Sequence, residues 1–90
     1  MSKDTFRLLD CISNVTDEEF ENVEILKNTV VEVIKKYFGS ISKIEESQGK
    51  THIEIPNSDI NFIFDIKKEG QVYKINQYKI SSISDWIKTP

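Results

Sequence analysis

Residues 41–80 read ISKIEESQGKTHIEIPNSDINFIFDIKKEGQVYKINQYKI, and apolar and polar residues alternate through most of this stretch. A period of two is typical of β-strands that bury one face. Turn-forming residues interrupt the alternation at 48–49, 56–59 and 69–70. The sequence therefore predicts four strands in an antiparallel meander, at 41–47, 50–55, 60–68 and 71–80.

The glycine-containing turns predict the register of two hairpins. A two-residue turn at Gln48-Gly49 places Ile44 opposite Ile53 on the buried face. The outer pairs are then Glu45 with His52 and Lys43 with Glu54. A similar turn at Glu69-Gly70 would pair Ile66 with Tyr73, Phe64 with Ile75, and Asp65 with Lys74. This register keeps apolar residues together and opposite charges together, whereas a slip of one residue would mix the two faces.

These registers define a buried and an outer face of the sheet. The predicted buried face consists of Ile44, Ile53, Ile55, Ile60, Phe62, Phe64, Ile66, Tyr73 and Ile75. The outer face also carries apolar residues, namely Ile63, Val72 and Tyr78. A sheet face that is exposed to solvent needs fewer apolar residues than this.

The first 39 residues have the period of a helix instead. Residues 3–12 form a short predicted helix, and the main helix is predicted over 17–38. Thr16 and Glu19 have the spacing of a capping box, and Gly39 is a typical helix terminator. The predicted buried stripe is Phe20, Val23, Leu26, Val30, Val33, Ile34 and Tyr37.

The predicted fold is therefore α+β, with an N-terminal helical segment packed on a four-stranded antiparallel β-meander in one domain, 1–90. The order of a helix followed by a meander is similar to that of cystatin-like folds, although the chain has no motif of that family. The last ten residues have Ser82 and Asp85 at capping-box spacing. They could form one helical turn that folds back over the sheet.

Composition excludes several classes of function. The formal net charge is −3, and only one of the twelve basic residues is Arg, which argues against nucleic-acid binding. One Cys and one His exclude a disulfide framework and a Cys- or His-rich metal site. No apolar run reaches the ~20 residues that span a bilayer, and no secretory signal is recognisable. We therefore expect a cytoplasmic protein with no cofactor, no metal and no membrane association.

Two side chains are candidates for catalysis. Histidine is the residue type whose unperturbed pKa lies near neutrality, and Glu45 across the strand pair would orient His52 as a general base. Cys11 is a potential nucleophile, but its apolar and acidic neighbours do not lower the pKa of a thiol. We expect an exposed strand histidine and a buried, inert cysteine, and hence no enzyme.

The acidic cluster at the predicted helix start is the strongest functional signal. Residues 1–39 contain eight acids and five bases, whereas residues 40–90 contain seven of each, so the whole excess charge lies on the helical half. The cluster compensates the helix dipole, and it also suits a basic partner. The predicted partner-binding residues are Asp17, Glu18, Glu21, Glu24, Tyr78 and Trp86.

These features favour a small non-catalytic binding module, of the type of a bacterial immunity protein or inhibitor that neutralises a basic toxin or nuclease. A second hypothesis is a cystatin-like-shaped ligand binder or enzyme, with a pocket between helix and sheet lined by Tyr37, Phe62 and Tyr73. A third is an accessory domain that dimerises through its sheet. The oligomeric state, monomer or homodimer, stays open.

Overall fold

The computed structural model describes residues 3–41, 43–56, 58 and 60–82. The elements are α1 (Lys3–Ile12), a one-turn 3₁₀ helix (Val15–Asp17), α2 (Val23–Phe38), β1 (Lys43–Ser47), β2 (Lys50–Glu54), β3 (Ile60–Glu69) and β4 (Val72–Ser82). The strands form one antiparallel sheet in the order β1-β2-β3-β4. The predicted helical segment on an antiparallel meander is confirmed. The predicted helical turn after Ser82 lies outside the described residues.

The main helix begins six residues later than predicted. Asn22, in extended conformation, is the N-cap, and its side-chain oxygen accepts a hydrogen bond from the Ile25 N–H at 2.8 Å. Thr16 does not form the predicted capping box with Glu19. Its hydroxyl donates to the Ser13 carbonyl at 2.9 Å instead. The predicted end is correct, because Gly39 follows Phe38 with φ +88°, where a side chain would be strained.

The core lies between the two helices and one face of the sheet. α2 contributes Leu26, Val30 and Ile34, which lie on one stripe at a spacing of four. The other core residues are Leu8, Cys11, Ile12, Val15, Phe20, Ile53, Ile55, Ile60, Phe62, Phe64 and Ile75. Tyr37 was predicted in this stripe but is 43% exposed. It lies where α2 packs on α1, and its carbonyl oxygen accepts a 2.7 Å hydrogen bond from Arg7.

The first hairpin has the predicted register. Ile44 lies opposite Ile53, Glu45 opposite His52, and Lys43 opposite Glu54. Gln48 and Gly49 both have positive φ, as a type I′ turn requires.

The second hairpin differs from the prediction. The turn residues are Gly70 and Gln71, because Glu69 pairs with Val72 and Ile66 with Ile75. Gly70 has φ +64° and Gln71 is not among the positive-φ residues, which is the pattern of a type II′ turn with glycine in its first central position. The predicted turn wrongly placed the glycine second, as in the first hairpin. The predicted pairs of Ile66 with Tyr73, Phe64 with Ile75 and Asp65 with Lys74 are therefore wrong. The predicted buried face is correct from Ile53 to Ile75, with Ile66 and Tyr73 partly buried, whereas Ile44 is 45% exposed.

A β-bulge interrupts β4. From the Ile66–Ile75 pair to the Phe64–Tyr78 pair, β3 advances two residues and β4 advances three. Asn76 and Gln77 therefore stand together opposite Asp65, and the Gln77 N–H donates to the Asp65 Oδ1 at 2.9 Å. The extra residue reverses the alternation of β4 beyond this point. Tyr78, predicted on the outer face, lies on the helix-facing side with its ring centroid 5.7 Å from that of Phe62.

The N-cap can be tested by a pair of substitutions. Asn22→Ala removes the side chain that accepts the Ile25 N–H, so we expect a loss of about 1 kcal/mol of unfolding free energy in urea denaturation. Thr16→Ala is the matched control, because Thr16 has the predicted cap chemistry but bonds outside α2. Equal losses in the two variants would contradict a helix start at Asn22.

Candidate functional site

The five acids near the start of α2 are exposed and unpaired. We call residues 17–24 the acidic segment, which runs from the end of the 3₁₀ helix into the first turn of α2. Its acidic side chains are Asp17, Glu18, Glu19, Glu21 and Glu24, and all are exposed. Within the described residues none of them forms an ion pair or a side-chain hydrogen bond. Four of the predicted partner-binding residues, Asp17, Glu18, Glu21 and Glu24, are therefore exposed within this one short segment.

A two-residue bridge holds the acidic segment against the sheet. The Phe20 N–H donates to the Tyr73 carbonyl at 2.9 Å, and the Tyr73 N–H donates to the Phe20 carbonyl at 2.8 Å. The Phe20 side chain is buried in the core. Because side chains alternate along extended backbone, Glu19 and Glu21 on either side of it are directed to solvent. The sequence does not predict this bridge, because Phe20 also fits a helical stripe.

The bridge lies on the outer edge of β4, the same edge to which Tyr78 belongs. Tyr78 lies five positions after Tyr73 along β4, roughly 15 Å at about 3.3 Å per residue. Tyr78 is 44% exposed, so part of its side chain packs at the edge of the core and the rest is in contact with solvent. The structure thus brings the acidic segment and Tyr78 to one edge of the sheet. Trp86, the sixth predicted partner-binding residue, lies outside the described residues.

The outer face of the sheet has a shallow cavity beside the bulge. Its volume is about 450 Å³, and Ile63, Asp65, Gln77 and Lys79 are among the residues that line it. Ile63 is only 5% exposed although it faces away from the helices, with His52 and Lys79 as its neighbours across the strands. The polar groups on this wall are of both signs, so the cavity does not select one charge of ligand.

The His52–Glu45 pair does not have the geometry of a catalytic dyad. The two residues are opposite each other, as predicted. The Glu45 carboxylate, however, is 2.7 Å from the Lys43 ammonium, and this hydrogen bond holds the pKa of Glu45 below its usual value. The same contact raises the pKa of Lys43. Glu45 is therefore engaged by Lys43, and no hydrogen bond between Glu45 and His52 is formed.

Cys11 is buried on α1, as expected. Burial, together with a smaller contribution from the neighbouring Asp10 carboxylate, raises the pKa of its thiol to about 11. A thiol with this pKa is almost wholly protonated at pH 7, and the protonated form is a poor nucleophile.

The sequence does not predict the ion pair that connects α2 with β1. Lys27 of α2 forms an ion pair with Glu46 of β1, and this contact lowers the pKa of Glu46. Both side chains are partly or largely exposed, so the pair contributes little stability by itself. It connects the first half of α2 to β1.

The reactivity of Cys11 provides a test of its environment. We expect alkylation by iodoacetamide at pH 8 to be slower in the native protein than in urea by more than an order of magnitude, since only the exposed thiolate reacts. Because folding raises the pKa, the contribution of Cys11 to stability is full below the pKa of the unfolded thiol, near 8.5, and is lost as the pH rises toward 11. The difference in stability between wild type and Cys11→Ala should shrink over that interval. A native alkylation rate equal to the unfolded one would contradict this environment.

The comparisons with known proteins add no identification. Neither family models, nor curated proteins, nor solved structures give a match to this chain. In the described ranges, no helix has the length and apolar content needed to cross a membrane. The function must therefore be argued from the acidic segment and the sheet edge beside it.

Proposed function

We propose that this chain is a non-catalytic protein-binding module whose acidic segment receives a basic protein partner. The type of protein that fits is an inhibitor or immunity protein, which covers a basic toxin or nuclease in the cytoplasm. The observation that carries the proposal is the set of five exposed carboxylates without basic partners in the described part of the chain. Elsewhere, Glu45, Glu46 and Glu69 each have a lysine partner, and the exposed acids Asp10 and Glu32, which form no ion pair among the described residues, are isolated in the sequence.

The position of these carboxylates also supports a binding role. Acids that compensate the helix dipole have to lie in the first turn of α2, and of the five acids only Glu24 lies there. Glu18, Glu19 and Glu21 lie before the Asn22 cap, on backbone that the Phe20–Tyr73 bridge holds in place. Charges on a fixed segment give a partner a defined electrostatic target, which raises the rate of association.

A ligand pocket between helix and sheet receives less support. Phe62, expected to line it, is fully buried and packs against Phe64 at a centroid distance of 5.3 Å. Tyr37 is exposed on the helix side, and Tyr73 is tied to Phe20. The three residues are thus in different environments, and we favour the protein-binding proposal over a ligand-binding one.

The proposal is tested by two double variants with the same change in net charge. Glu19→Lys/Glu21→Lys reverses the acids on both sides of Phe20 and leaves the Asn22 cap and Glu24 intact. Asp10→Lys/Glu32→Lys reverses two exposed helix acids outside the segment. Each protein is used to capture partners from extract of the cells that express the chain, with quantitative mass spectrometry, followed by stopped-flow association with each captured protein.

We expect Glu19→Lys/Glu21→Lys to slow association roughly tenfold at low salt and less at high salt, where screening is stronger. The Asp10→Lys/Glu32→Lys control should retain most of the rate. Equal rates and equal salt slopes for wild type and Glu19→Lys/Glu21→Lys would remove the acidic segment from the mechanism. An equal loss of association rate in the two variants would mean that only the net charge of the protein matters, and this result would also contradict the proposal.

A further inference from the structure

We infer that the outer edge of β4 over residues 78–82 accepts an extended segment of the partner as a fifth strand, with the basic end of that segment against Glu19 and Glu21. This inference rests on the proposed function, because it assigns the conformation and charge pattern of the same basic partner.

The register identifies which backbone groups of β4 point away from β3. Glu69 and Val72 close a two-residue hairpin and bond to each other, so the N–H and C=O of Tyr73 point outward. The bridge confirms this direction, since Phe20 bonds to both groups of Tyr73. By the same alternation, Ile75 also presents its groups to the outside.

The alternation resumes beyond the bulge. Tyr78 and Ile80 pair with Phe64 and Phe62 of β3, whose own backbone groups are directed toward β2. The Ile60 carbonyl, on the same side of β3, accepts the Ile55 N–H at 3.1 Å, which supports this assignment. The N–H and C=O groups of Tyr78 and Ile80 therefore point to the outer edge. Among the described residues nothing pairs with them.

The side chains at this edge suit an added strand. Tyr78 and Ile80 lie on the helix-facing side, next to Phe62, and both are incompletely buried. An apolar side chain of an incoming strand would cover the exposed part of the Tyr78 ring. Strand addition supplies affinity through main-chain hydrogen bonds and specificity through alternate side chains.

Charge complementarity then selects the chemistry of the occupant. A segment paired with residues 78–82 must continue past the bulge for roughly 15 Å along the edge, about five residues, before it reaches Tyr73. Phe20 occupies the edge there, so the end of that continuation lies beside Glu19 and Glu21. A Lys or Arg at that end would be favoured by both carboxylates. On the opposite face, Lys79 disfavours a cation directly across from it. The partner segment is thus apolar toward the helices and basic at one end.

A second copy of this chain is a poorer occupant. An antiparallel pairing of two β4 edges that brings Tyr78 of each copy opposite Ile80 of the other also places their Lys79 residues face to face. Like charges directly opposite in a strand pair are destabilising.

The experiment measures amide hydrogen exchange by NMR on the full chain. In the free protein we expect fast exchange at Tyr78 and Ile80, and slow exchange at Lys79 and Ser81, which bond to β3. The probes are two short peptides of alternating valine and threonine, with Arg-Lys at the amino end of one and at the carboxyl end of the other. A control peptide has glutamates in place of the two basic residues.

We expect one basic peptide to slow exchange at Tyr78 and Ile80 about tenfold or more, with an affinity that falls as salt rises. Ile80→Pro removes an outward N–H without removing a β3–β4 bond and should abolish this protection. Ile80→Val is the matched control and should keep it.

Several results would overturn the inference. Slow exchange at Tyr78 and Ile80 in the free monomer would mean that the edge is already covered. The inference is also contradicted if neither basic peptide binds at millimolar concentration, or if a peptide binds without slowing exchange at Tyr78 and Ile80. Binding of the glutamate peptide as tight as that of the basic peptides would contradict it, and so would equal protection in Ile80→Pro. If Glu19→Lys/Glu21→Lys slows association of a captured partner that leaves Tyr78 and Ile80 unprotected, the proposed function stands and the strand addition fails.

Discussion

The bridge between Phe20 and Tyr73 determines how the helical half of the molecule sits on the sheet. Two backbone hydrogen bonds and one buried aromatic ring join the segment before α2 to the first residues of β4. Extended backbone at Phe20 is incompatible with a helix through the same residues, so α2 begins only at the Asn22 cap. The bridge therefore shortens the helix, places Leu26 and the core residues after it over the sheet, and leaves the carboxylates next to Phe20 in solvent.

The same bridge connects the charged and the apolar parts of the proposed binding surface. It occupies the start of the β4 edge, while the bulge turns Tyr78 toward the helix side farther along that edge. Natural edge strands are commonly protected by charges and bulges. β1 follows that pattern, with Lys43, Glu45 and Glu46 exposed along it. β4 is protected by a bulge in its middle and by Phe20 at one end, and the stretch between Tyr78 and Ser82 is left open in the described part of the chain.

The sequence was sufficient for the fold class, for all four strands and for the first hairpin, because periodicity and the Gln48-Gly49 turn are local signals. The predicted register of the second hairpin is wrong at Gly70. A glycine fits either central position of a two-residue turn, and only the turn type decides between the two positions. The bulge depends on Asp65 accepting a hydrogen bond from a residue twelve positions away, which no periodicity encodes. Of the candidate site, the acids were recognisable from charge alone. Their closeness to the β4 edge was not, because it depends on a tertiary contact of Phe20.

The bridge also has a consequence for the order of folding events. The β1–β2 and β3–β4 hairpins are closed by two-residue loops, so their contacts form between residues that are near in sequence. Phe20 and Tyr73 are separated by about fifty positions, and their contact requires closure of a long loop that already contains α2 and most of the sheet. Contacts of this separation cost more chain entropy before they return any stabilisation. We therefore expect the hairpins to form early and the N-terminal segment to dock late, which makes the acidic segment one of the last parts of the surface to take its final shape.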